Sequence, residues 1–232
     1  MDSFNSGLKQ LLIDRGANMV GFADLKPFGK DDMIYGVSVA VAVPPQIIQG
    51  IQNGPTMDYF NAYHDINHLL DEIVTAGAGY LKSKGYKAFA QTTDAVVESE
   101  DYRTAMPHKT VAVRAGLGWI GKCALLVTEE YGSAVRLSSL ITDAPLECGV
   151  PVTASRCGSC TACTDACPAK AVSGRLWSAD TDRDEFFDPY SCRKTARELA
   201  ALHIQKEITL CGKCIQACPY TKKYLYDGIK NG

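Results

Sequence analysis

CGSCTACTDACP, residues 157–168, is the stretch on which the reading of this chain turns. It places Cys157, Cys160 and Cys163 three residues apart, then Cys167 four further on, directly before Pro168. Cysteines so close in sequence put three thiolates on one tight loop facing one small volume, and the fourth leaves in the next turn. Pro168 has a fixed φ that suits the first position of a helix, so the run is expected to end a loop and start a helix. A second run, CGKCIQACP at 211–219, repeats the ending with Cys211, Cys214 and Cys218-Pro219 but lacks one early member. Four thiolates around a common volume are what a cubane iron–sulfur cluster requires.

The first run resembles that of bacterial two-cluster ferredoxins, in which the fourth cysteine ligates the other cluster. The missing member of the second run is most simply Cys192, nineteen residues before Cys211. Two metal-ligating sets follow. Cys157, Cys160, Cys163 and Cys218 are expected to hold one [4Fe–4S] cluster, and Cys192, Cys211, Cys214 and Cys167 the other. A disulfide framework suits small secreted chains, whereas this chain opens MDSFNSGLKQ, without a basic or apolar leader. Two zinc sites would also use eight thiolates, but zinc has no reason to prefer the C-x-x-x-C-P ending twice.

The rest of the composition bounds the class. A chain of 232 residues, 46% hydrophobic, can bury roughly 70% of its unfolded surface and needs no cross-links for stability. No run approaches the eighteen or so apolar residues of a membrane span, so no membrane partner and a cytoplasmic location are expected. A formal net charge of −2, with no basic run, gives no electrostatic case for nucleic acid.

The cysteine map divides the chain. Residues 1–150 hold only Cys123 and Cys148 and read as an α+β domain, and 151–232 read as a smaller domain tied together by its clusters. Phe4, Leu8, Leu11 and Leu12 recur at helical spacing up to Gly16. Met19–Ala23 and Tyr35–Val43 read as buried strands, the second halted by Pro44-Pro45. A long helix is expected from about 57 to 84, closed by Gly85 and weakened at Gly77-Ala-Gly79. Residues 86–91 read as a strand, 44–55 as a loop, and Cys123–Thr128 with Ser133–Thr142 as a β-hairpin.

Three further motifs have plain alternatives. Gly116-Leu-Gly118-Trp119-Ile120-Gly121 matches G-x-G-x-x-G, but a dinucleotide site wants it between a strand and a helix, and here a helical HKTVAVRA precedes it. Its glycines let the backbone approach packed core or a cofactor closely. His64 and His68 imitate a zinc-protease helix, with Asp65 where the glutamate base would stand; an ordinary helix surface is the simpler reading. Cys123 and Cys148 remain outside the cluster count. Buried free thiols are the simple reading for both, and Cys123 gains a second reading as a ligand or redox group from its place directly after GLGWIGK.

The order of motifs resembles the epoxyqueuosine reductase family and, more distantly, the reductive dehalogenases. The likeness is carried by DRGANMVGFADL, AYHDINHLLDEI, AGLGWIGKCALLVT and VRLSSLITDAPL, followed by both cysteine runs. It implies a nitroreductase-like, B12-processing α+β domain ahead of a ferredoxin-like double-cluster domain. It also implies base-off cobalamin beside one cluster, with Gly116, Gly118, Trp119, Ile120, Gly121, Lys122, Cys123, Ser138 and Ser139 at the corrin. The family carries an aspartate shortly before this glycine-rich stretch, and the same distance here falls on Tyr102. Tyr102, Asp94 and His108 are therefore the candidate catalytic acids, with Asp101 a further candidate beside Arg103, in a polar segment 92–109 suited to an active-site loop. The family's C-terminal helical repeats, used on tRNA, have no counterpart here, so tRNA is not an expected partner.

The expectation is an iron–sulfur, cobalamin-dependent oxidoreductase acting on a small organic substrate. Its electrons would come from an external low-potential donor such as a ferredoxin or flavodoxin. An electron-transfer or corrinoid-activating protein without its own substrate, or a flavin-using reductase, are the alternatives.

Overall fold

The computed structural model describes residues 3–28 and 32–230. In chain order the elements are α1 (Ser3–Asp14), β1 (Met19–Asp24), β2 (Tyr35–Ala42), α2 (Pro45–Gly50), α3 (Met57–Ser83), β3 (Ala88–Ala90), α4 (His108–Arg114), β4 (Trp119–Ile120), β5 (Leu126–Val127) and β6 (Val135–Thr142). The cysteine-rich remainder adds α5 (Ala162–Ala166), α6 (Pro189–Ile204), α7 (Lys213–Ala217) and α8 (Pro219–Lys230). No helix among the described residues is long and apolar enough to cross a membrane.

The chain forms two compact units. The first comprises residues 1–41, 65–118 and 136–152, and the second 42–64, 119–135 and 153–232. This grouping follows different lines from the cysteine map, because α2 packs on α7 and α8 and so joins the cluster region.

In the first unit a four-stranded sheet runs in the order β1-β2-β6-β3. β1 pairs antiparallel with β2, Met19 opposite Ala40, and β3 pairs antiparallel with β6, Ala88 opposite Thr142. The apolar stripe Leu8 and Leu12 of α1 is fully buried, as are Ile73 and Leu81 of α3 and Val37 and Val39 of β2. Full burial of each such side chain contributes on the order of 2 kcal/mol. Gly77, expected to weaken α3, is a packing position within an unbroken helix. A Cβ there would lie 2.8 Å from Leu140 and 3.0 Å from Leu12.

Three local expectations are corrected. The stretch 44–55 contains a helix, since Pro45 takes the first position of α2, where its lost N–H costs nothing. The expected hairpin 123–142 does not form. β5 pairs with β4, Trp119 opposite Val127, and β6 joins the larger sheet, because a turn closed by reciprocal Thr128–Gly132 backbone bonds separates the two strands. Pro168 starts no helix: Lys170 adopts φ +52 and its N–H bonds back to the Cys167 carbonyl, ending the turn. Pro219 does open α8 as expected.

That Thr128–Gly132 turn also fixes a contact within the second unit. Gly132 has φ +57, and a Cβ there would collide with the Thr221 backbone nitrogen. Gly132→Ala therefore combines a left-handed strain of about 1–2 kcal/mol with overpacking of about 1–3 kcal/mol. Because Thr221 stands three residues after Cys218, the variant is expected to unfold at lower denaturant and to hold less iron. Paired urea melts and iron assays check this.

Candidate functional site

The cysteines of the two runs are placed by tight loops and short helices. The Cys160 N–H bonds the Cys157 carbonyl, making the first loop tight, and Cys163 lies in α5. Gly212, at φ +82, caps α7, which carries Cys214. α5 and α7 pack on each other. Cys167 and Cys218 stand just past these helices in extended backbone, which turns each away from its own loop. Cys192 emerges from the first turn of α6, whose start is held by Asp188 accepting from the Tyr190 and Ser191 N–H groups.

These placements bring the first expected set together. Cys157, Cys160, Cys163 and Cys218 line one cavity of about 180 Å³, with Lys122 and Arg156 as its cations. Lys122 is 6% exposed, and its Nζ donates to the Cys160 carbonyl at 2.8 Å. Arg156 stacks over the buried Trp119 ring and pairs with Glu129. Burial, partly offset by backbone hydrogen bonds and compounded by the neighbouring Cys157, pushes the Cys218 thiol up.

Cys167, Cys192 and Cys214 of the second set pack in one cluster with Ala171 and Val172. Burial, then the charges of Cys167 and Cys211, pushes Cys192 up to about 11. Burial, with Cys167 adding, raises Cys211. Thiolates that repel one another in a buried space are stabilised only by a cationic centre, and binding it releases their protons. Among the described residues no three His, Cys, Asp or Glu side chains converge on a site for a single ion. The four cysteines of the first set enclose a volume, and a polynuclear iron–sulfur group fits that arrangement.

The residues expected at a corrin lie as follows. Gly116 is backed by the Val150 carbonyl, 2.7 Å from where its Cβ would be. Gly118 is buried just ahead of β4. Trp119 and Ile120 are buried in β4, and the Trp119 Nε1 has no hydrogen-bond partner among the described residues. Gly121, Lys122 and Cys123 face the cysteine cavity. Ser138 and Ser139 are buried on β6.

Around those serines the first unit holds a polar set. Gln91 Nε2 donates to Ser139 Oγ at 2.6 Å, Ser138 Oγ donates to the Gln91 carbonyl at 3.1 Å, and His108 Nδ1 lies 2.7 Å from Ser139 Oγ. Burial lowers His108 from 6.5 to about 4, with Asp71 opposing and Arg136 adding. The ring is thus neutral at neutral pH and acts there as a hydrogen-bonding partner, not a charged acid. Sequence spacing could not foresee this set, because Gln91 lies just past β3, Ser138 and Ser139 on β6 and His108 at the start of α4.

A linkage follows from His108. The unfolded ring takes up a proton below about pH 6.5, and the folded one refuses it until about pH 4. The stability this gives is complete above pH 6.5 and is lost as pH falls through that window, about 2 kcal/mol of it by pH 5. His108→Gln, which keeps a partner for Ser139, should show a smaller drop in urea midpoint between pH 7 and pH 5 than the wild type.

The loop before His108 is anchored and knotted. Asp71 on α3 accepts from the Thr93 N–H at 2.9 Å and from its hydroxyl at 2.5 Å. Further on, the Ser99 hydroxyl bonds both Asp101 and the Arg103 carbonyl, and Arg103 pairs with Asp101 at 3.1 Å. Inside this knot half-buried Tyr102 has φ +58, a conformation that costs a bulky residue energy and persists only where the surroundings impose it. Asp94 is exposed. His64 and His68 form no zinc site: His64 packs on Phe60 and Tyr63, and exposed His68 lies 3.5 Å from Glu72. Cys148 is half-buried and donates to the Leu146 carbonyl.

Residues 156–221 match the family described as a 4Fe-4S double cluster binding domain. The chain is similar to epoxyqueuosine reductases. It is 40% identical over 120 residues to that of Lactococcus garvieae (strain Lg2), covering 51% of this chain and 33% of the relative. It is 38% identical over 110 residues to that of Bacillus subtilis (strain 168), covering 47% and 26%. The match thus spans about a third or less of these relatives' length. Among solved structures, the catabolic reductive dehalogenase NpRdhA in complex with 3-bromo-4-hydroxybenzoic acid aligns with a TM-score of 0.74 at 17% identity, over 96% of this chain and 32% of that one. An epoxyqueuosine reductase with an epoxyqueuosine-modified tRNA-Tyr stem loop aligns with a TM-score of 0.62 at 23% identity, over 94% and 65%. The fold is therefore the α+β architecture shared by these proteins, carrying a double-cluster domain.

Proposed function

We propose that this protein is an iron–sulfur reductase of the epoxyqueuosine reductase type. Electrons from an external low-potential donor would cross two [4Fe–4S] clusters to a base-off corrinoid and reduce a small organic substrate. The observation that carries the reading is the gathering of Cys157, Cys160, Cys163 and Cys218 around one cavity. The crossed ligation of two clusters by these four and by Cys167, Cys192, Cys211 and Cys214 is part of the proposal.

When bound, the clusters supply one-electron transfer and the corrinoid a reducible cobalt centre. The chain's own residues divide the remaining tasks. Lys122, a buried cation at the first cavity, offsets the negative charge that reduction adds there. Buried Gln91, Ser138 and Ser139 and half-buried His108 form an uncharged polar set. Such a set fits a corrinoid, whose periphery is largely neutral carboxamides. Tyr102, fixed in a strained backbone by the Ser99–Arg103 knot, delivers the proton that reduction consumes.

The test is transfer from the clusters to the corrinoid. Anaerobic protein reconstituted with iron, sulfide and hydroxocobalamin should retain about one corrinoid per chain through gel filtration. Photoreduction should then reduce that corrinoid, and Cys211→Ser should slow the step severely while leaving corrinoid retention intact. Equal rates in both proteins would rule out the proposed electron route.

A further inference from the structure

Cys123 belongs to neither set of cluster ligands and lies outside the matched segment 156–221. It nonetheless borders both. It is 4% exposed and lines the same cavity as Cys157, Cys160, Cys163 and Cys218. It also packs in the core that holds Cys167, with Cys192 and Cys214 against it. Cys163 belongs to that same core, so Cys123 packs in one cluster with Cys163 and Cys214, and its thiol is coupled to both of theirs. The turn carrying it is fixed by the Ala124 N–H to Gly121 carbonyl bond at 2.9 Å. Gly121 lies against both sulfurs: a Cβ there would sit 3.5 Å from that of Cys123 and 3.7 Å from that of Cys157, and would crowd Val127 at 2.8 Å.

We propose that Cys123 is a positioning residue set between the two clusters, a thiol that donates a hydrogen bond to the sulfur of Cys163 or of Cys214. The inference rests on the crossed ligation proposed above. Once Cys163 and Cys214 are iron-bound thiolates, neither carries a proton, and of the three sulfurs Cys123 alone can donate. One S–H serves one acceptor at a time, so it turns to whichever cluster holds the extra electron. Hydrogen bonds to cluster sulfurs are among the factors that set reduction potential, and a donor favours the more negative, reduced state. Cys123 thus raises the potential of the first electron to enter the pair.

The test is an anaerobic redox titration of the reconstituted full chain, followed by EPR, with iron counted in every sample. Cys123→Ala should keep the wild-type iron content. Its first midpoint should move down by a tenfold change in the reduction equilibrium, about 59 mV for a one-electron couple. Cys123→Ser, which keeps a donor in nearly the same place, should move less than half as far. Equal shifts in the two variants would mean that packing alone is at work and would overturn the inference, as would an unshifted midpoint at full iron content. Loss of iron in Cys123→Ala would also overturn it, by making Cys123 a ligand. A wild-type protein that takes up only one cluster would instead fail the crossed ligation itself.

Discussion

Cys218→Ser is expected to lower the iron content of the reconstituted protein from about eight atoms per chain to about four, and Cys167→Ser to do the same. The single variants do not say which cluster is lost, but pairs do. With crossed ligation, Cys218 serves the cluster of Cys157, Cys160 and Cys163, so Cys218→Ser combined with Cys157→Ser removes nothing more than either alone. Cys218→Ser combined with Cys211→Ser strikes both clusters and should leave almost no iron. Uncrossed ligation predicts the opposite outcome for each pair. This non-additivity is the signature of residues that act on one shared site. The structural reason to expect crossing is that Cys218 lines the first cavity, while Cys167 packs beside Cys192 and Cys214.

Tyr102→Phe is expected to lower turnover by about 10²- to 10⁴-fold, the range for a positioned general acid, with iron and corrinoid content unchanged. Tyr102 holds its backbone at φ +58, retained against its own cost by the bonds of Ser99 to Asp101 and Arg103. Phenylalanine keeps the ring and the strain and removes only the hydroxyl. Asp94→Asn should change turnover by no more than about twofold, because Asp94 is exposed on the loop and a solvated surface change has little effect. Steady-state kinetics on the holoprotein, with both cofactors quantified, checks the pair. Full activity in Tyr102→Phe would move the acid elsewhere.

The features legible in the sequence were those written at fixed spacing. The two cysteine runs announce their loops, the apolar periodicity of Leu8 and Leu12 announces α1, and Gly85 marks the end of α3. The order of α4 before the glycine-rich stretch was readable too, and it removed the dinucleotide reading. What stayed hidden depends on partners distant in the chain. β5 finds β4, not β6, because the Thr128–Gly132 turn directs the backbone away. Gly77 reads as a helix weakness until Leu12 and Leu140 are seen against it. Cys123 reads as a spare thiol, since nothing local tells that α5 and α7 bring Cys163 and Cys214 to it. The Gln91–Ser139–His108 set is likewise a product of the sheet, assembled from residues that share no motif.

The central claim is that the two clusters feed a base-off corrinoid. EPR of the anaerobically reconstituted protein, loaded with hydroxocobalamin and poised to the singly reduced cobalt state, tests it most directly. The account predicts a five-coordinate base-off cobalt signal beside two cluster signals on further reduction. Normal cluster signals with no protein-bound corrinoid signal would contradict it.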